Sequence, residues 1–295
     1  KPENVLFDRD GHIQLTDFGL AKMMDRDPKR LRETVCGTPL YMSPEAVTNH
    51  QYTLKQQQGL EPGALLTKFR SVVEDDVFFE LLDNEKTFPL LWDILGWNIQ
   101  LYISHMIMYP PEPKDAEKKT KGAGWHQDGG RPVEEIERPA PRLSLKISYW
   151  LSDTTIPEAG AMKILPGSHR LVDKPHQDRP EEDPVGAMEV RVKPGTAVLF
   201  DRRLWHTRGY NYSDVTRKVV FFGYSYRWLR GLDYNNMPEE VLAKCGSVIR
   251  RQLLGDGVDV KGWWQPTEED VPLKGWIREH RGEEYLYDVS ARYKV

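Results

Sequence analysis

Cysteine is nearly absent: Cys36 and Cys245 are the only two in 295 residues, and neither belongs to a CxxC or another metal-ligand spacing. That excludes a disulfide scaffold and a thiolate cluster, and makes a reducing, cytoplasmic compartment the expectation. Long apolar runs are missing too, none approaching the ~20 residues a membrane-spanning helix requires. Neither sign of charge dominates: 41 basic against 45 acidic residues give a formal net charge of -4. Such a balance offers no electrostatic footprint for nucleic acid or an anionic membrane. What is there is 39% hydrophobic residues at a mean hydropathy of -0.62, the balance of a globular chain with a core. The length allows one large domain or two ordinary ones.

Residues 1–47 read unlike everything after them. Lys1-Pro2-Glu3-Asn4, Asp17-Phe18-Gly19 and Gly37-Thr38-Pro39-Leu40-Tyr41-Met42-Ser43-Pro44-Glu45 follow one another at sensible intervals. This segment resembles a protein kinase, entered partway through the catalytic loop and left just after the APE-type motif. The resemblance implies that Asn4 and Asp17 correspond to magnesium ligands and that 19–45, with Thr34 and Thr38, corresponds to an activation segment. The Gly-rich loop, the strand lysine, its helix glutamate and the catalytic aspartate have no counterpart in the chain. Residues 48 onward do not continue as a kinase large lobe, so phosphotransfer by this chain is not expected. Because it opens at Lys1, inside a motif, the chain is expected to be a fragment whose targeting signal is unread.

Residues 48–60, with Gln56-Gln57-Gln58-Gly59, form the expected seam, and 61–295 the second domain. There Leu65, Leu66, Phe69, Val72, Val73, Val77, Phe78, Leu81 and Leu82 recur at near-helical spacing, which predicts a helix over 62–83. A short helix over 88–96 would close at Gly96. Strands are expected over 98–108, 143–151, 161–165, 187–192, 196–200 and 217–227, joined by turns such as Pro166-Gly167 and Pro194-Gly195. Many short strands behind helices predict a mainly β fold with flanking helices, a double-stranded β-helix or jelly roll. Residues 110–122, rich in Pro and Lys, read as a mobile loop before the next motif, where a substrate lid is often found.

That motif is His126-Gln127-Asp128. Side chains two residues apart on an extended strand point the same way, so His126 and Asp128 share a face. A second imidazole from a distant strand would complete two histidines and one carboxylate, the set that holds Fe(II) and leaves other positions open. His206 fits, following the turn Lys193-Pro194-Gly195 and the apolar strand Thr196 to Phe200. His169, after Pro166-Gly167-Ser168, is the competitor for that place and is expected nearer the pocket rim. His176 reads as solvated, and His12, His50, His105 and His280 have no evident ligand partner. Arg217 stands eleven residues after His206 and opens the apolar run to Phe222. A buried guanidinium requires an anion, and a dicarboxylate would suit its two-pronged geometry. The 206–217 spacing predicts that Arg217 lies on the strand neighbouring His206.

His126-Gln127-Asp128, Pro166-Gly167-Ser168-His169, Trp205-His206 and Arg217 together resemble the phytanoyl-CoA dioxygenase family of Fe(II)/2-oxoglutarate oxygenases. The resemblance covers roughly 61–280, including Tyr224 to Leu229 and Trp264 to Leu273. It implies that His126, Asp128 and His206 bind iron, that Arg217 binds 2-oxoglutarate, and that O2 hydroxylates a small organic molecule with release of succinate and CO2. Ascorbate is the implied reductant in vitro. Arg208 stands where many members carry a serine, and the family's usual N-terminal strands are displaced by the kinase-like piece. Trp125, Tyr149, Trp150, Trp205 and Tyr224 are expected to line the pocket or simply pack. Lys146 and Ser148 lie on a strand able to face the cosubstrate; Arg202, Arg203 and Arg208 form a basic group able to meet an anionic substrate or only water. Two further readings stay open: a catalytically silent, metal-binding jelly roll, and a kinase-derived interaction module. The sequence leaves substrate and oligomeric state open.

Overall fold

The computed structural model describes residues 61–128, 140–171, 173–234, 236–257, 262 and 266–286, and the backbone of 5–7 and 13–15. Asn4, Asp17, Thr34, Thr38, the seam at 48–60, Cys36, His12, His50 and Trp264 lie outside the described residues. Two short strands, β1 (Val5–Phe7) and β2 (Ile13–Leu15), pair antiparallel with Val5 opposite Leu15. From 61 on the chain is mainly β. A five-stranded sheet has the order β3 (Leu66–Phe69), β4 (Ile99–Tyr109), β10 (Arg217–Tyr226), β5 (Ser144–Trp150), β8 (Ala197–Asp201). A three-stranded sheet has the order β7 (Met188–Val190), β6 (Met162–Ile164), β9 (His206–Arg208). The arrangement is the jelly roll expected from the strand-and-turn pattern.

The chain divides into two compact units. The first holds Met106–Arg142 and Lys146–Phe221 together with the residues up to Lys68. Its core explains the alternation along its strands. Trp150 of β5, Val198 and Phe200 of β8, and Val219 and Phe221 of β10 turn inward from the larger sheet. Met162 and Ile164 of β6 and Val190 of β7 turn inward from the smaller one. In β9 the same period puts His206 and Arg208 on the face of Ile164 and Met162, their register partners, with Thr207 on the other face opposite Lys163. His206 and Arg208 thus share a face with the apolar core residues Ile164 and Met162.

The second unit holds Phe69–His105, Leu143–Leu145 and Phe222–Val295. Helices α1 (Ser71–Glu74), α2 (Phe79–Leu82), α3 (Phe88–Leu95), α4 (Glu239–Leu242), α5 (Val248–Leu253) and α6 (Pro272–Arg281) belong to it. The side-chain amide of buried Gln252 donates to Trp97 O and Ile99 O, and its carbonyl accepts from Leu273 N, so one residue ties α5 to α6 and to the start of β4. Tyr224 donates its hydroxyl to Leu82 O at 2.7 Å, which makes it core of this unit rather than a pocket residue.

The single helix expected over 62–83 is corrected. Leu66–Phe69 is a strand, and Arg70 takes a left-handed conformation (φ 64) that no continuous helix tolerates. Arg70 N donates to Ser104 O and Val72 N to Ser104 Oγ, so backbone groups that a helix would satisfy internally are satisfied by β4. Leu65 and Phe69, counted toward the helical stripe, are exposed. Gly96 does end α3, with φ 84 and its N–H on Trp92 O. Residues 110–122 are tied down rather than free: Glu112 N donates to Asn211 O, Lys119 N to Tyr212 Oη, and Lys118 pairs with Glu158. No helix among the described residues is long and apolar enough to cross a membrane.

Candidate metal and cosubstrate site

The segment 122–128 lies along the free edge of β9. His126 and His206 exchange both backbone hydrogen bonds at 3.0 Å, Ala123 N donates to Arg208 O, and Asp128 N to Arg202 O. Gly124 N reaches across to Thr207 Oγ1 at 2.9 Å. This closeness is why position 122 is glycine: a Cβ there would fall 2.1 Å from Thr207 Cγ2. Asp183 fastens the segment from the side, its Oδ1 accepting from Gly122 N (2.7 Å) and Trp125 Nε1 (2.8 Å) and its Oδ2 from Lys163 Nζ (2.6 Å). These donors outweigh burial and hold the Asp183 carboxyl below its ordinary range. Ser168, in the turn opened by left-handed Gly167, accepts from Trp205 N at 2.8 Å and so fixes the entry to β9.

The pairing brings His126, Asp128 and His206 together, with one candidate ligand atom from each lying within 4.8 Å of the others. The imidazoles stand 4.4 Å apart between centroids. His126 Nδ1 faces Gly124 O at 2.8 Å and His206 Nδ1 faces Leu204 O at 2.9 Å. A carbonyl can only accept, so each Nδ1 carries the proton and each Nε2 is left as the electron-pair donor. Burial drives His206 down to about 4 against the attraction of Asp128, which leaves its ring neutral at neutral pH. Burial would raise the Asp128 carboxyl, but the Lys146 ammonium at 2.8 Å, with His206 and His126 behind it, brings it to about 2. Among the described residues Asp128 Oδ2 has no hydrogen-bond partner, although it is buried and only 3.7 Å from His206 Nε2. Two imidazoles and a carboxylate oxygen without a partner among the described residues suit a borderline divalent cation.

Arg217 is buried at 3% exposure, its guanidinium 5.1 Å from the Trp150 ring. Burial, with the charge of Arg208 adding to it, pushes Arg217 down to about 10. Among the described residues its Nε and Nη1 have no acceptor, nor has Arg208 Nη1. Buried guanidinium donors without acceptors fit a carboxylate ligand. The expectation that Arg217 occupies the strand beside His206 is corrected: β9 pairs with β6, whereas β10 lies between β4 and β5 in the other sheet. Arg217 faces inward with Val219 and Phe221 on the same period, from a strand of the five-stranded sheet.

The remaining expectations divide. His169 is buried, its pKa lowered mainly by burial, and it lies near Asp201, Arg203 and Arg142 rather than in the three-residue metal cluster. Arg203 does not form a free basic rim. It is spent on Asp201 (2.7 Å) and on Ala140 O, and its own carbonyl accepts from Gln127 Nε2. Arg208 stacks over Tyr109 at 4.2 Å, while Tyr109 donates to Glu112. Asp183 was missed because an acidic, Pro-rich loop reads as solvent-facing. No pattern in the sequence marks which of its carboxylates turns inward.

A family model for phytanoyl-CoA dioxygenase (PhyH) matches residues 44–219, and one for the protein kinase domain matches residues 1–58. The non-heme alpha ketoglutarate dependent epimerase SnoN from nogalamycin biosynthesis superposes with a TM-score of 0.50 at 18% identity, covering 79% of this chain and 91% of SnoN. The N-terminal segment is 58% identical over 48 residues to the cAMP-dependent protein kinase catalytic subunit PRKX of Homo sapiens, covering 16% of this chain and 12% of that kinase. Serine/threonine protein kinase ypkA of Aspergillus fumigatus is 38% identical over 96 residues, 30% of this chain and 15% of ypkA. The fold is that of the iron- and 2-oxoglutarate-dependent oxygenases. The chain belongs to the phytanoyl-CoA dioxygenase (PhyH) family and carries a short kinase-like segment ahead of that domain.

Proposed function

We propose that the chain is an Fe(II)- and 2-oxoglutarate-dependent dioxygenase that hydroxylates a small organic molecule, with His126, Asp128 and His206 holding the metal and Arg217 the cosubstrate. The observation that carries this reading is one set of orphaned groups. One candidate ligand atom from each of His126, Asp128 and His206 lies within 4.8 Å of the others, and among the described residues Asp128 Oδ2 and the Nε and Nη1 of buried Arg217 have no hydrogen-bond partner. When bound, iron with 2-oxoglutarate and O2 supplies the oxidising power, with succinate and CO2 as by-products. The residues supply position. The backbone carbonyls of Gly124 and Leu204 fix which ring nitrogens face the metal, Asp128 contributes the anionic ligand, and Arg217 orients the far carboxylate of the cosubstrate. Phe200, 5.1 Å from the His206 ring, and the core behind it keep water from that side.

We further propose the division 1–47 kinase-derived segment, 48–60 seam and 61–295 oxygenase domain, supported by the two family matches. A fold shared with the epimerase SnoN serves more than one reaction outcome, so the product itself is the readout for hydroxylation. The test of the class is succinate formation from 2-oxoglutarate by the purified chain with Fe(II), O2 and ascorbate, without a prime substrate. Slow turnover is expected, and Asp128→Ala is expected to abolish it by removing the carboxylate from the three candidate ligands found among the described residues. Undiminished succinate from that variant would remove the carboxylate from the site.

A further inference from the structure

The two oxygens of Asp128 have different surroundings. Oδ1 is 2.8 Å from Lys146 Nζ, whereas Oδ2, buried and 3.7 Å from His206 Nε2, has no hydrogen-bond partner among the described residues. Lys146 rises from β5, the larger sheet, on the inward face shared with Ser148 and Trp150. Its side chain is 8% exposed and its ammonium lies 5.8 Å from the Phe221 ring. A buried ammonium requires an anion, and Asp128 is the one it meets.

We propose that Lys146 is a positioning residue that grips one oxygen of Asp128, so that the carboxylate presents a single oxygen to the metal. The proposal rests on the reading of His126, Asp128 and His206 as a metal site. A carboxylate with both oxygens free can swing, or wrap a cation with both, and thereby fill a position that the chemistry needs open. With Oδ1 in the grip of Lys146, Asp128 offers only Oδ2, and the three protein ligands occupy three positions. The lysine reaches the site from the sheet opposite β9, so the rotamer of Asp128 is set by a wall that does not carry the histidines. A second consequence of an ammonium in this place is simple repulsion of a bound cation. The two effects carry opposite signs: loss of a grip weakens metal binding, and loss of a repellent charge strengthens it.

Co(II) titrated into the metal-free purified chain separates them. Lys146→Met keeps the stem and removes both charge and donor, and is expected to weaken Co(II) binding about tenfold. It is also expected to shift the visible d–d bands as the carboxylate changes its mode of binding. Lys146→Gln, polar and uncharged, is expected to lose less, and it serves as the second variant should Lys146→Met not fold; metal-free unfolding midpoints report this. Either variant binding Co(II) as tightly as the unaltered chain, or more tightly, would overturn the proposal. So would weaker binding with unchanged bands, which would make Lys146 structural only. Failure of the unaltered chain to bind Co(II) would instead sink the metal-site reading itself.

Discussion

Arg217 shows how much a single buried residue can disclose. Burying a guanidinium costs several kcal/mol unless something answers its charge. Trp150 offers only the face of its ring, and two of the Arg217 N–H groups meet nothing among the described residues. Arg208, charged alike, makes the pocket more demanding of an anion, and its Tyr109 stack holds it in place. Arg217→Ala is therefore expected to raise the 2-oxoglutarate concentration needed for half-maximal succinate formation by roughly 10- to 100-fold, the value of one or two charge-assisted hydrogen bonds. Co(II) affinity in the absence of cosubstrate should barely move, because Arg217 is not one of the three residues proposed to hold the metal. An unchanged 2-oxoglutarate dependence would take Arg217 out of the site.

The elements divide into those legible in the sequence and those made by partners far along the chain. Strands with alternating or continuous apolar residues, β4, β5, β6, β8 and β10, could be read within a residue or two, and so could the triplet His126-Gln127-Asp128 and its distant partner His206. What could not be read is everything decided by a neighbour. Strand β9 is three residues long, too short for any period, and exists because β6 lies on one side and His126 on the other. The false helix over 62–83 came from counting apolar residues that face solvent, at Leu65 and Phe69. Asp183 belongs to the same class, since nothing local distinguishes it from its acidic neighbours. It gathers Gly122, Trp125 and Lys163, and thus holds the approach to His126, whose own side chain is exposed and little supported by packing. Asp183→Ala leaves three donors seeking partners, at a cost on the order of 3 kcal/mol. The expected result is a lower unfolding midpoint with a Co(II) affinity reduced about tenfold, as for other residues that orient a ligand indirectly. Calorimetric titration showing full-strength Co(II) binding in this variant would mean the segment is held by β9 alone.

At the scale of the whole molecule the question is whether the kinase-like segment contributes to the oxygenase at all. The kinase match ends at 58 and the PhyH match begins at 44, so the two overlap over 44–58. Among the described residues, every side chain assigned to the candidate site falls between Gly122 and Arg217, and the residues that fasten it, Ser168 and Asp183 among them, fall there too. A chain of residues 44–295 is accordingly expected to bind Co(II) and to form succinate from 2-oxoglutarate at the level of the full 295 residues. The two proteins, purified side by side and titrated with Co(II) before the succinate assay, give the comparison. Equal values would place the whole activity in the oxygenase domain and leave the kinase-like segment to be tested as a docking element. Loss of Co(II) binding on removing 1–43 would mean instead that the kinase-like segment has become part of the oxygenase fold.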